Sequence, residues 1–457
     1  MKTLFAETAL TPAGWARDLR ITVSPAGDIV ACEPNASPDG AERLAGTALP
    51  GMPNLHSHAF QRAMAGLTER SSGAADSFWT WRETMYGFLA KLTPEDVEAI
   101  AAQLYVEMLK AGYTAVGEFH YLHHDPEGRP YADRSAMAER IVAAARAVGI
   151  GLTLLPTLYE AGGFGGAPPG AAQRRFINAP DALLGMIEGL GRRYASDANV
   201  RLGLALHSLR AVRPNSVGEA VAALRRADAA APIHIHIAEQ VKEVDDCLAW
   251  SGRRPVEWLL ASGLVDKHWC LVHATHMTEA ESRALAASGA VAGLCPTTEA
   301  NLGDGFFPWS DFIAANGAWG IGSDSHISVD AAEELRWLEY GQRLLARRRN
   351  LASAGQPGST GAALWRAALA GGSAALGRTI GAIAPGRRAD IVVLDDAAPA
   401  LYGRAQDTIV DAFVFAGGKA AVRDVMVGGR RAVRDGRHID EERILAAYKA
   451  TIDRLAS

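Results

Sequence analysis

The chain has 457 residues, long enough for one large domain and a smaller one. Hydrophobic residues make up 49%, charged residues 21%, and the net charge is −5, so the chain carries no basic footprint for nucleic acid and no run apolar enough to span a membrane. Its four cysteines have no paired spacing and the opening MKTLFAETALTPAG lacks the apolar core of a secretion signal, which together predict reduced thiols in a cytoplasmic protein. Residues 1–46 hold β-rich runs such as LRITV and DIVACEP. From about residue 47, short apolar runs alternate with longer amphipathic ones. The short runs are TALPGMPN, TAVGEF, GLTLLPT, VRLGLAL, PIHIHIA, WCLVHA, AVAGLC and AWGIGSD. Between them lie segments such as AMAERIVAAARAVG (136–149) and VGEAVAALRRADA (217–229), whose apolar positions recur at helical spacing.

Eight strand candidates alternating with helix candidates predict a (β/α)8 barrel of the TIM type, with an open doubly wound sheet as the alternative. Beyond the linker-like SAGQPGSTG (353–361) the pattern turns β-rich again, in ADIVVLD, DAFVFAGG and VRDVMVGGRRAVRDG. The two ends therefore predict one small β-sandwich domain, residues 1–48 with 381–457, around a catalytic barrel of residues 49–380.

Active residues in such barrels sit at the C-terminal ends of the strands. Those ends carry His56 and His58, His120 and Tyr121, His207 and Arg210, His236 and Glu239, His273, and Asp324, so six of the 13 histidines fall there. Positions 56 and 58 share a face of a strand, and both imidazoles can meet one object. Singly, each of these residues reads as a satisfied core histidine or a buried, capping aspartate. Together His56, His58, His236 and Asp324 form a nitrogen and oxygen donor set suited to Zn2+, with a position left for water. His234 shares a face with His236 but lies deeper, in a packed layer of the barrel.

On the substrate side, Arg82 stands in an aromatic setting of Trp79, Trp81 and Tyr86 after the first strand, and Arg210 follows the fourth. Guanidinium grips carboxylate through two parallel hydrogen bonds, so two such groups predict a small dicarboxylate substrate. Two glycine-rich, aromatic tracts, 159–178 and 299–312, follow barrel strands and read either as loops that close over it or as ordinary surface loops.

The pattern Pro50-Gly51-x-x-Asn54-x-His56-x-His58, His236-x-x-Glu239, His273 and Gly322-Ser323-Asp324, with the tail Pro385-Gly386-x-x-Ala389-Asp390, resembles the amidohydrolase superfamily over nearly the whole chain. More narrowly, HSHAFQRAMAG, FWTWRETMY, EFHYLHH, HIHIAEQ, CPTTEANLGDG and SDSHIS resemble the HutF-type formimidoylglutamate deiminases of bacterial histidine degradation. Binuclear members of the superfamily place a bridging carboxylated lysine at the end of the fourth strand. This chain has LALHSLR there, so the resemblance implies one metal ion per subunit, Zn2+ or another divalent metal.

The resemblance also implies hydrolysis of N-formimidoyl-L-glutamate to N-formyl-L-glutamate and ammonia. Glu239 would carry a proton to the departing nitrogen. His273 would deprotonate the water and steady the tetrahedral intermediate, with Asp324 a partner in that transfer. Substrate contacts carry over to Gln61, Arg82, Tyr121, His207 and Arg210, and the family pattern is a homodimer. Two rivals stand beside this reading. A deaminase of a purine, pterin or triazine ring would leave paired arginines without an anion. A noncatalytic barrel scaffold is disfavoured by the complete ligand set.

Overall fold

The computed structural model describes residues 1–71, 73, 76–353 and 357–456; residues 354–356 of the linker-like stretch lie outside the described residues. Five strands precede the barrel: β1 (Lys2–Thr11), β2 (Gly14–Val23), β3 (Ile29–Glu33), β4 (Glu42–Leu44) and β5 (Thr47–Pro50). The barrel sheet contains β6 (Met52–Ser57), β7 (Tyr113–His120), β8 (Gly151–Leu158), β9 (Val200–Leu202), β10 (Leu204–Ser208), β11 (Ile233–Ile237), β12 (Trp269–His273), β13 (Val291–Leu294) and β14 (Ala318–Ile321). The tail adds β15 (Ile391–Leu394), β16 (Val422–Val427), β17 (Arg430–Arg434) and β18 (Arg437–His438).

The barrel strands pair in parallel in the order β14-β13-β12-β11-β10-β8-β7-β6, with the short β9 also on β8. Nearly every position of these strands is buried, as strands walled by helices outside and side chains inside require. Two of the eight apolar runs are split by glycines that allow close approach. A Cβ on Gly51 would lie 2.2 Å from Thr114 Cγ2, and there the chain leaves β5 and enters β6. A Cβ on Gly203 would lie 2.5 Å from the Pro232 carbonyl oxygen, and there VRLGLAL divides into β9 and β10.

Closure of the barrel falls on a single bridge between Ser57 and Asp324. The Asp324 N–H donates to the His56 carbonyl at 3.0 Å, and the His58 N–H donates to the Asp324 carbonyl at 3.2 Å. First and eighth strands are thus joined through the backbones of three candidate ligands.

Strands from both ends of the chain form one mixed sheet, in the order β18-β17-β16-β15-β5-β1-β2-β3 with β4 beside β1. Leu4, Leu19, Ile21, Leu44, Ile391 and Met426 give it a core of its own. The run DAFVFAGG is not a strand: the helix Asp407–Ala412 continues into a wide turn over Phe413–Gly417. Its buried residues, Ile409, Val410, Phe413 and Val414, recur at helical spacing and join the main core, so tertiary packing overrides the β preference of Phe and Val. The final helix, Glu441–Ala456, returns to the helix Pro94–Lys110 through an ion pair between Lys110 and Glu441. Cys247, Cys270 and Cys295 are buried free thiols, Cys32 a half-buried one. No described helix is long and apolar enough to cross a membrane.

Gly322 sits against the closing seam, where a Cβ would lie 2.7 Å from His56 Cβ and 2.9 Å from the His56 nitrogen and carbonyl oxygen. Gly322→Ala should therefore push the first strand off the eighth, lowering stability by about 1–3 kcal/mol and weakening metal retention. Thermal melting and metal content check this; a variant with wild-type values for both would show that the seam tolerates displacement.

Candidate metal centre and active site

His56 is the penultimate residue of β6 and His58 follows the strand, His236 lies near the end of β11, and Asp324 follows β14. The structure brings these four side chains together, with one donor atom from each lying within 4.8 Å of the others. His58 Nδ1 is 2.9 Å from the Phe119 carbonyl oxygen, and His236 Nδ1 is 3.0 Å from that of His207. Each Nδ1–H donates to its carbonyl, which fixes the tautomer and turns an unprotonated Nε2 inward. The Nε2 atoms of His58 and His236 are 3.2 Å apart, and those of His236 and His56 3.0 Å apart. Asp324 Oδ1 lies 3.3 Å from His56 Nε2 and 3.4 Å from His58 Nε2.

Nitrogen lone pairs that face one another at such distances repel unless a cation lies between them. Protonated imidazole is not that cation here. Burial depresses the pKa of His56 to about 3, lowers that of His58, and with the neighbouring imidazoles lowers that of His236 further. Burial pushes the Asp324 carboxyl upward, but the His56 hydrogen bond and the nearby imidazoles outweigh it and keep the group ionised. Three neutral imidazoles and one carboxylate fit a divalent metal of the zinc type.

Beside this centre, the strand ends carry left-handed backbone at non-glycine residues: Ala238 (φ 51°), His273 (φ 68°), Ala274 (φ 49°) and Asp324 (φ 45°). Such conformations cost free energy and aim side chains where regular strand geometry does not. His273 Nε2 lies 3.8 Å from Glu239 Oε1 and 3.8 Å from Asp324 Oδ2, while its Nδ1 is 3.2 Å from Glu299 Oε1. Burial works against the imidazolium, yet Glu239, Glu299 and Asp324 together push the pKa of His273 up to about 10. Glu239 is itself raised to about 7, chiefly by burial, against the pull of His273 and Arg210. Glu299 is a site residue that sequence reading missed. Its position in the first turn of the helix Pro296–Leu302, where its carboxylate also accepts the Cys295 N–H, reads in sequence as a helix cap.

The five residues proposed to contact substrate, Gln61, Arg82, Tyr121, His207 and Arg210, all line one cavity that also reaches His58, Glu239 and His273. The helix Phe78–Leu89 is started by Ser77, whose hydroxyl accepts the Trp79 N–H. Helical spacing then sets Trp79, Arg82 and Tyr86 on one face, with the Arg82 guanidinium 4.5 Å from the Trp79 ring centre and 5.6 Å from that of Tyr86. Arg210 reaches the same indole at 5.7 Å. The Nε groups of both arginines are buried without a hydrogen-bond partner, as is Gln61 Oε1. Gln61 Nε2 donates to the Tyr121 hydroxyl at 3.0 Å. Tyr159 and Phe176 from the first glycine-rich tract, and Leu302 from the second, complete the wall. His120, at a strand end, does not line the cavity and packs on His123 instead. His234 lies deeper, with Nε2 2.8 Å from the Ala375 carbonyl oxygen.

A parallel barrel whose closing seam presents such a centre defines the class of metal-dependent hydrolases. Residues 47–432 match the amidohydrolase family, and the chain belongs to it. Residues 1–46 match the N-terminal domain of formimidoylglutamate deiminase HutF. The chain is 57% identical over 455 residues to a formimidoylglutamate deiminase of Pseudomonas aeruginosa, covering 100% of both sequences. It is 30% identical to a 5-methylthioadenosine/S-adenosylhomocysteine deaminase of Natronomonas pharaonis, over 90% of this chain and 87% of the other. A crystal structure of an amidohydrolase from Brucella melitensis matches with a TM-score of 0.94 and 48% identity over 100% of both chains.

Converging lone pairs make metal binding part of stability. Treatment with a chelator should lower the melting temperature, and zinc added back to about 1,000 times its Kd should restore about 4 kcal/mol. In His236→Ala the zinc-dependent difference should disappear. A melting temperature indifferent to chelator in the wild-type protein would argue against a metal at this centre.

Proposed function

We propose that the chain hydrolyses N-formimidoyl-L-glutamate to N-formyl-L-glutamate and ammonia, as a step of histidine degradation, with one Zn2+ per subunit held by His56, His58, His236 and Asp324. The observation that carries the substrate assignment is the pair Arg82 and Arg210, which both line the cavity, whose Nε groups are buried without a hydrogen-bond partner among the described residues, and whose guanidinium groups lie over one indole, that of Trp79. Two guanidinium groups lining one pocket fit a substrate with two anionic groups, which the α- and γ-carboxylates supply.

A divalent ion at the centre supplies Lewis acidity and makes water nucleophilic near neutral pH. Glu239, poised at about 7, takes a proton from the attacking water and delivers it to the formimino nitrogen. The second proton, released from the new hydroxyl as the C=O forms, reaches the same nitrogen by way of the Asp324 carboxylate, so that the C–N bond breaks and ammonia leaves as a neutral molecule. Of the two duties foreseen for His273, its raised pKa favours the second. As an imidazolium it donates to the charge that develops when the formimino carbon becomes tetrahedral, and Glu299 at Nδ1 keeps the ring in place. Gln61, Tyr121 and His207 complete the substrate contacts. The same reading takes residues 1–48 with 381–457 as the small domain, residues 49–380 as the catalytic barrel, and a cytoplasmic homodimer as the working form.

Ammonia release measured side by side from formimidoylglutamate, guanine and adenosine tests the substrate. Only the first should react, and faster release from either purine compound would transfer the site to ring deamination. Arg82→Met should lower kcat/KM about a hundredfold with little change in melting temperature; an unaltered value would remove Arg82 from the substrate. Glu239→Gln should retain zinc and lose about 10²- to 10⁴-fold in kcat. Full turnover by that variant would refute the proton transfer.

A further inference from the structure

In HIHIAEQVKE, Glu239 stands just before the helix Val241–Ser251, which has Gln240 as its N-cap, and Glu243 occupies its first turn. A carboxylate there is favoured by the free N–H groups and dipole of the helix start, and such residues ordinarily face water. Glu243 instead is 0% exposed. Its Oε2 accepts the backbone N–H of Glu239 at 3.1 Å. Its Oε1 has no hydrogen-bond partner and lies 4.0 Å from Arg210 Nε, which is likewise buried and unpartnered. Among the described residues, Glu243 provides the only carboxylate within ion-pair distance of Arg210.

A buried ionised oxygen without hydrogen bonds persists only when an opposite charge stands close by. Glu243 and Arg210 meet that condition for each other. The guanidinium approaches Glu243 through its Nε, while the Arg210 side chain also lines the cavity. Arg82 and Arg210 are like charges over one indole, and the carboxylate of Glu243 offsets their repulsion.

We propose that Glu243 is a positioning residue that ties the substrate grip to the proton-transfer group, holding the Arg210 guanidinium with one carboxylate oxygen and the Glu239 backbone with the other. This inference rests on the reaction proposed above for the same cavity. It makes one carboxylate responsible for both the orientation of the dicarboxylate and the placement of the acid that serves its other end.

The two contacts can be separated. In Glu243→Gln the amide oxygen still accepts the Glu239 N–H, while the charge beside Arg210 is gone. KM for N-formimidoyl-L-glutamate should rise about tenfold or more with kcat within about threefold. Glu243→Ala loses both contacts, and kcat should fall about tenfold as well. In an Arg210→Met background, Glu243→Gln should change KM by less than about twofold, because the pair is already broken. Glutarate binds without reacting, and its Kd by calorimetry should follow KM through the same set. If Glu243→Gln alone folds poorly, the double variant, which removes both buried charges, should recover its melting temperature; failure to recover would count against the pairing. A Glu243→Gln protein with unchanged or tighter KM and glutarate Kd, or an effect undiminished in the Arg210→Met background, would overturn the inference. Wild-type protein that binds glutarate yet releases no ammonia from formimidoylglutamate would sink the reaction and leave the pairing to the glutarate cycle, whereas protein that does neither would sink both.

Discussion

The hydrogen bonds that close the barrel are also the bonds that set the candidate metal ligands. Where the Asp324 N–H meets the His56 carbonyl and the His58 N–H meets the Asp324 carbonyl, the backbones of three ligands are joined in one short ladder. Their separations are set by this backbone ladder at and just beyond the strand ends and by the left-handed backbone at Asp324. Buried polar groups lock this ladder from behind. Asn54 Nδ2 donates to Ser323 Oγ at 2.6 Å, and the Ser57 hydroxyl donates to Glu118 Oε2 at 2.6 Å. Burial raises the Glu118 carboxyl to about 7, against the Ala59 N–H and the hydroxyls of Ser57 and Tyr105, which favour its ionised form. The fourth candidate ligand, His236, is steadied by stacking on Phe119 at 4.3 Å between ring centres.

From that rigid base, charge alternates toward the cavity wall. The Asp324 carboxylate is followed by His273, kept cationic among three carboxylates, then by Glu239, and then by the arginines with Glu243 behind them. His273 lies 3.8 Å from both Glu239 and Asp324, and Arg210 lies 4.0 Å from Glu243, spacings at which buried charges interact strongly. Strain belongs to the same design: the left-handed backbone at Ala238, His273 and Asp324 turns side chains from neighbouring strand ends inward toward a common point.

Much of this was legible in the sequence because a (β/α)8 topology converts chain position into a place on a ring. Residues 56, 236 and 324 are far apart along the chain, but each ends an apolar run, and strand ends of one barrel meet at one mouth. What stayed hidden depended on contacts between distant segments. The breaks at Gly51 and Gly203 exist because Thr114 and Pro232 pack where a side chain would be, and nothing within the runs announces them. DAFVFAGG favours a strand by residue preference and becomes helical because its apolar residues join the main core. Glu243 and Glu299 each sit in the first turn of a helix, a common surface position for an acid, so only the fold distinguishes a cap from a partner of Arg210 or His273. His120 ends β7 and Tyr121 follows it, and which of them faces the cavity is set by how the chain leaves the strand.

Anomalous diffraction at the zinc absorption edge, from crystals of zinc-loaded protein, tests whether the seam makes the site. One peak per chain is expected, with His56, His58 and His236 nitrogens at about 2.0–2.1 Å and an Asp324 oxygen at about 2.0–2.2 Å. Two peaks, or a single peak whose neighbours omit His56 or Asp324, would contradict it.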